Sequence, residues 1–138
     1  MRYYLDTNTL IFVLSNEKDN ISSSVSNILS DYSNLFYVSS IVIQELVLLY
    51  KIGKLKSKHY KTVDDILFAI KETSIETIYF NEHHFSQYLQ LVIADDHKDM
   101  NDHAIIAQSI SDKIPVISSD NKFKLYISQG LDFVFNKR

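Results

Sequence analysis

The chain contains no cysteine, a single proline and two glycines in 138 residues. Without cysteine there can be no disulfide framework, no thiolate zinc site and no thiol nucleophile, so any chemistry must use oxygen or imidazole groups. With so little glycine and proline punctuation, no repeat, low-complexity tract or linker divides the sequence, and residues 1–138 read as one domain. Long hydrophobic runs are missing too. The best candidate, Ile41 to Tyr50, is broken by Gln44 and Glu45, well short of the ~20 residues that span a bilayer. The opening Met1-Arg2-Tyr3-Tyr4-Leu5-Asp6 lacks the basic, apolar, small-residue order of a signal peptide, so a cytoplasmic protein with no membrane partner is expected. Nor is there an excess of positive charge: 14 lysines and arginines against 17 acids leave a net charge of −3. A nucleic-acid partner would have to be met by a local basic patch.

What the sequence does have is an alternation of periods. Hydrophobic residues make up 46% and charged residues 22%, the balance of a soluble globular domain. A chain of this size can bury about 68–70% of its unfolded surface. Arg2–Leu5, Leu35–Ser39, Ile75–Phe80, Ile114–Ser118 and Leu131–Phe135 are short and rich in β-branched or aromatic residues, as strands are. Between them the apolar residues recur at helical spacing: Val25, Ile28, Leu29 and Tyr32, then Tyr60, Val63, Leu67 and Ile70, then Phe85, Tyr88, Leu89 and Val92. Ile41 to Ile52 is apolar on most sides, which predicts a buried helix stopped by Gly53, and Asp99 is placed to cap a helix from Met100 to about Ser111. The order β α β α α β α α β β predicts an α/β protein, a three-layer α/β/α sandwich around a mainly parallel five-stranded sheet.

In such sheets ligands bind beyond the carboxyl ends of the strands, at the switch point where strand order reverses. Four acids map to that edge. Asp6 ends the first strand, Glu45 lies in the opening turns of the helix after the second, Asp102 in the first turn of the helix before the fourth, and Asp120 just after the fourth. Aspartates after strands also serve as caps and Asx turns. Several carboxylates at close range, however, raise one another's pKa unless a cation neutralises them, and oxygen-only donors suit Mg2+ or Mn2+. Such ions activate water and stabilise leaving oxygens in phosphodiester cleavage.

These residues resemble the PIN-domain nucleases, and among them the VapC-type toxin ribonucleases of VapBC toxin-antitoxin pairs. The matching pieces are Leu5-Asp6-Thr7-Asn8, Ser39-Ser40-Ile41-Val42-Ile43-Gln44-Glu45-Leu46, the run from His97 to Gln108, and Val116-Ile117-Ser118-Ser119-Asp120-Asn121-Lys122-Phe123. The resemblance implies a strand order of 3-2-1-4-5 and an Mg2+- or Mn2+-dependent endoribonuclease. It implies Asp6, Glu45, Asp102 and Asp120 as the metal-binding catalytic acids, with Thr7, Asn8 and Ser118 as polar support. Asp99 matches an acid found in some members. It further implies an RNA substrate, a small cognate antitoxin and a homodimer. The third motif departs from the pattern: many relatives have Pro-Phe before the aspartate and arginine after it, where this chain has Met100-Asn101 and His103.

Lys51, Lys54, Lys56, Lys58 and Lys61 form the one basic concentration. Lys54, Lys56 and Lys58 would draw in an RNA backbone, although a solvated connection accounts for such a run as well. His97 and His103 flank the third motif and are placed to bind phosphate or move protons, to cap, or to sit on the surface; His83 and His84 look structural. The apolar surplus at Ile11 to Leu14 and around Ile66 to Ile70 belongs either to the core or to a groove for the antitoxin. Three other readings compete: a PIN-like module without activity that binds RNA or protein, a receiver-like phosphoacceptor, and an Asp-x-Asp phosphatase. The second lacks a carboxylate after Ile78-Tyr79-Phe80, and the third has Asn8 where its second aspartate should be.

Overall fold

In the computed structural model, which describes residues 1–55 and 59–138, five strands form one sheet. They are β1 (Arg2–Leu5), β2 (Leu35–Ser39), β3 (Glu76–Ile78), β4 (Val116–Ser118) and β5 (Phe133–Phe135), in the order β3-β2-β1-β4-β5. All four pairings are parallel, with Tyr4 opposite both Tyr37 and Val116. Tyr3, Tyr4 and Leu5 are buried in succession, as are Val116, Ile117 and Ser118. Successive strand residues point to opposite faces, so both faces are covered and the architecture is the expected three-layer sandwich.

The strands are shorter than their β-like sequence because flanking backbone groups bond elsewhere. The Ile114 amide donates back to the Ser109 carbonyl, and the Ser109 hydroxyl donates to the Ile114 carbonyl. The Ile75 amide donates to Thr73 Oγ1, the Phe80 amide to Ser40 Oγ, and the Leu131 amide to the Tyr126 carbonyl. Each residue has strand propensity, but its amide is already engaged away from the ladder.

Six α-helices are found among the described residues: α1 (Thr7–Leu14), α2 (Ser23–Ser30), α3 (Ser40–Lys51), α4 (Val63–Glu72), α5 (Glu82–Gln90) and α6 (Met100–Asp112); a 3-10 helix spans Asn121–Gln129. The expected order missed α1, this 3-10 helix and a shorter one at Lys18–Asn20. In α1 Thr7 and Thr9 through Phe12 are all buried, which leaves little amphipathic contrast to read. Of the apolar surplus, Ile11, Phe12, Ile66 and Ile70 belong to the core, while Phe68 faces out.

One expectation needs correction. Helix α3 is not buried all round: Val42 and Leu46 are, but Val47, Leu48 and Tyr50 are exposed. Phe85, Leu89 and Val92 form a stripe that faces outward, and the buried residue of α5 is His84. Periodicity tells which side chains share a face, not what covers that face. Gly53 does follow α3, with the positive φ of 72° that terminates helices. Helix α6 instead stops at Lys113, whose φ is 56°.

One buried side chain ties the layers together. Gln108, in the middle of α6, donates from Nε2 to the Tyr4 hydroxyl and to the Ile78 carbonyl at 3.1 Å each, and its Oε1 accepts from Ser39. Three strands are thereby fixed to one helix.

Candidate functional site

Three of the acids converge because local backbone chemistry places each at an element's start. Asp6 caps α1, accepting the Thr9 amide at 2.9 Å; Asp99 caps α6, accepting the Asn101 and Asp102 amides; Asp120 caps the 3-10 helix, accepting the Lys122 amide. These helix N-termini offer orphan N–H groups and positive partial charge to carboxylates. β1 and β4 lie side by side in parallel register, so Asp6 and Ser118 become neighbours and Ser118 hydrogen-bonds Asp6. Glu45 reaches in from α3 and accepts the Thr7 hydroxyl through Oε2.

A cavity of about 240 Å³ is lined by Asp6, Glu45, Asp99, Asp102 and Asp120 together with Thr7, Asn8 and Leu49. All four acids first singled out are present, with Asp99 as a fifth. Thr7 and Asn8 line the cavity directly, whereas Ser118 acts from behind through Asp6. Among the described residues, no lysine or arginine lines the cavity. Lys54 is exposed beyond the end of α3, its amide donating to the carbonyl of Leu49. Lys56 and Lys58 lie outside the described residues.

Uncompensated charge has the expected electrostatic effect. Burial, then the charges of Asp99, Asp120, Asp6 and Glu45, push Asp102 up to about 8. Asp6 is raised by burial, against the hydrogen bonds of Ser118 and Thr9, with Asp120 adding to the rise. Glu45 is raised by burial, opposed by Thr7 and Asn101 and reinforced by Asp99 and Asp6. A carboxylate such as Asp102 that holds its proton near neutrality is a carboxylate short of a cation.

The donor set fits a hard divalent ion. His97, Asp102 and Asp120 each place one candidate ligand atom within 4.8 Å of the others, and the remaining lining donors are oxygens. His97 is where sequence reasoning stopped short. It is neither a cap nor a surface group: it is 2% exposed, with Nε2 3.0 Å from Asp102 Oδ2 and Nδ1 2.9 Å from the Tyr126 hydroxyl. Burial lowers its pKa, as does His103, against the pull of Asp120 and Asp99. Its only sequence signal was its place beside Asp102; Tyr126 gave none.

The PIN domain family model matches residues 3–126. Comparison by sequence with curated proteins gave no match. Among solved structures, VapBC2 from Rickettsia felis bound to a promoter DNA fragment is similar over 99% of this chain and 100% of that chain, with a TM-score of 0.69 and 21% identity. VapBC-1 from nontypeable Haemophilus influenzae is similar over 98% of both chains, with a TM-score of 0.63 and 22% identity. VapC20 from Mycobacterium tuberculosis, described as a Sarcin-Ricin loop cleaving toxin, covers 94% of this chain and 95% of its own, with a TM-score of 0.56 and 12% identity.

Proposed function

The chain belongs to the PIN domain family, and from that premise we propose that it is a metal-dependent endoribonuclease acting as the toxin of a toxin-antitoxin pair. The observation that carries the reading is the convergence of five acids on one cavity with no lysine or arginine among the described residues that line it. We read residues 1–138 as one such domain, since the sheet runs from Arg2 to Phe135. The cytoplasm is its proposed place. Among the described residues no helix is long and apolar enough to cross a membrane.

Asp6, Glu45, Asp102 and Asp120 would hold Mg2+ or Mn2+. When bound, the ion supplies neutralising charge and lowers the pKa of a water that attacks the phosphodiester. The chain's own groups prepare the site. Thr7 occupies one oxygen of Glu45, and the Thr9 amide and Ser118 hold Asp6, so neither carboxylate can swing away. Asp102, protonated near neutrality while the charges around it are unbalanced, gives up that proton to become a ligand. Asp99 adds negative potential at the entrance without burial of its own. Lys54 and its neighbouring lysines would attract the RNA backbone towards this edge.

The antitoxin and a second copy of the chain are the proposed partners. Support comes from the VapBC complexes among the similar structures and from apolar side chains left at the surface, Phe68 on α4 and Phe85 and Leu89 on α5. The test is incubation of the purified chain, freed of any partner, with pooled cellular RNA. Cleavage in Mg2+ or Mn2+, lost on chelation and in an Asp6→Asn/Asp102→Asn double variant, is expected. RNA binding without cleavage under every metal condition would favour the inactive binding module instead.

A further inference from the structure

A buried polar chain runs from the 3-10 helix to the cavity, and the function proposed so far makes no use of it. The Tyr126 hydroxyl, fully buried, accepts the Ala94 amide at 3.2 Å and lies 2.9 Å from His97 Nδ1. The amide brings its own proton, so the single proton of the hydroxyl is free for Nδ1. Neutral His97 then carries its proton on Nε2, and that N–H faces Asp102 Oδ2 at 3.0 Å. The ring is fixed a second way, for the His97 carbonyl lies 2.8 Å from His103 Nε2, and the two imidazoles meet edge to face with centroids 4.8 Å apart.

We propose that His97, set in its tautomer by Tyr126, is a positioning residue that holds Asp102 by Oδ2 and leaves Oδ1 for the divalent ion. The proposal rests on the metal-site reading above. A hydrogen-bonded partner behind a ligating carboxylate fixes its orientation, and loss of such a partner typically weakens metal binding by about 10–100-fold. Direct ligation by His97 Nε2 is the competing geometry, since that atom lies near Asp102 and Asp120. It would require the proton on Nδ1, where the Tyr126 proton would lose its acceptor.

The experiment is calorimetric titration of metal-free protein with Mn2+, each variant checked for its melting temperature, together with long-range 15N–1H spectra of the imidazoles before metal is added. In the native chain His97 should show the Nε2–H form, and Tyr126→Phe should mix the two tautomers. His97→Phe should weaken Mn2+ binding by about 10-fold or more. His97→Gln, whose amide N–H can still reach Oδ2, should restore most of that loss, and Tyr126→Phe should fall between.

An unchanged Mn2+ affinity in folded His97→Phe would overturn the proposal. So would an Nδ1–H form in the native protein together with equal losses in His97→Phe and His97→Gln, the signature of a ligand. If His97→Phe does not fold, the native tautomer and the Tyr126→Phe affinity decide. Asp102→Asn separates the two levels. Were it to bind Mn2+ as the native chain does, the metal-site reading would fall and this inference with it. Binding abolished there but intact in His97→Phe would remove only the role of His97.

Discussion

Helix α6 carries a histidine–aspartate pair at each end, and their local geometry is nearly the same. Near its start His97 Nε2 lies 3.0 Å from Asp102, and at its end His84 Nε2 lies 2.9 Å from Asp112. Both histidines are almost fully buried, and both offer Nδ1 to a donor, the Tyr126 hydroxyl in one case and the Asn81 amide in the other. The difference lies in what else each carboxylate meets. Asp112 has both oxygens engaged, Oδ1 by His84 and Oδ2 by the Tyr4 hydroxyl at 2.5 Å. Asp102 has its histidine on one oxygen and four further acids around it. A buried His–Asp contact is therefore a packing device by itself; unbalanced negative charge beside it is what points to a ligand.

The sharpest way to break the comparison is to neutralise each aspartate in turn. Asp102→Asn should cut Mn2+ affinity and cleavage by more than about 100-fold, beyond what outer partners cost, while the protein stays folded. An amide can accept from His97 with its oxygen and turn its NH2 to the cavity. The matching change at the far end should do the reverse. In Asp112→Asn either orientation of the amide leaves Tyr4 or His84 without an acceptor, so stability should fall by about 1–3 kcal/mol in a denaturant melt, with Mn2+ affinity unchanged. Tyr4, whose hydroxyl pKa is raised by burial and then by the hydrogen bond and charge of Asp112, would lose its acceptor in a buried place.

A pH series sharpens the contrast further. Asp102 has a folded-state pKa of about 8, above its unfolded value. Its folded form thus holds a proton that the unfolded chain has already released, so the metal-free protein should lose stability as pH rises from about 4 towards 8. Asp102→Asn should remove roughly 2–4 kcal/mol of that loss, and Mn2+ affinity of the native chain should climb over the same interval as the proton leaves. Melts of the metal-free native and variant proteins at pH 5 and pH 8 check the first point, and calorimetry across the range checks the second. The smallest effect should come from the surface. Replacing Lys54, Lys56 and Lys58 together should weaken RNA binding and lower its salt slope by roughly one for each phosphate no longer neutralised. An unchanged slope would return these lysines to a solvated role.

The site was legible in the sequence to the extent that its parts are local. Asp6, Asp99 and Asp120 each cap the element they introduce, and capping is written within three residues of the cap. The parallel sheet followed from helices alternating with strands, and its strand order from the resemblance. The second histidine pair, the Tyr126–His97 contact and the Gln108 tie were not legible. They join residues 28, 29 and 104 positions apart, a distance at which no periodicity carries information. Strand ends failed for a different reason: Ile75, Ile114 and Leu131 have the side chains of strand residues, but their amides are taken by a nearby hydroxyl or helix carbonyl. The outward stripe of α5 shows a third limit, because Phe85 and Leu89 share a face with Tyr88 whether or not that face is covered.

Gln108 gives α6 a fulcrum. At about 1.5 Å per residue, Asp102 stands roughly 9 Å from that pivot and Asp112 roughly 6 Å on the other side. A tilt of the helix about Gln108 would therefore displace the Asp102 end by about one and a half times as much as the Asp112 end. The clamp of His84 and Tyr4 on the short arm consequently sets the aim of the long one, and slack at the end without chemistry would be magnified at the end that has it.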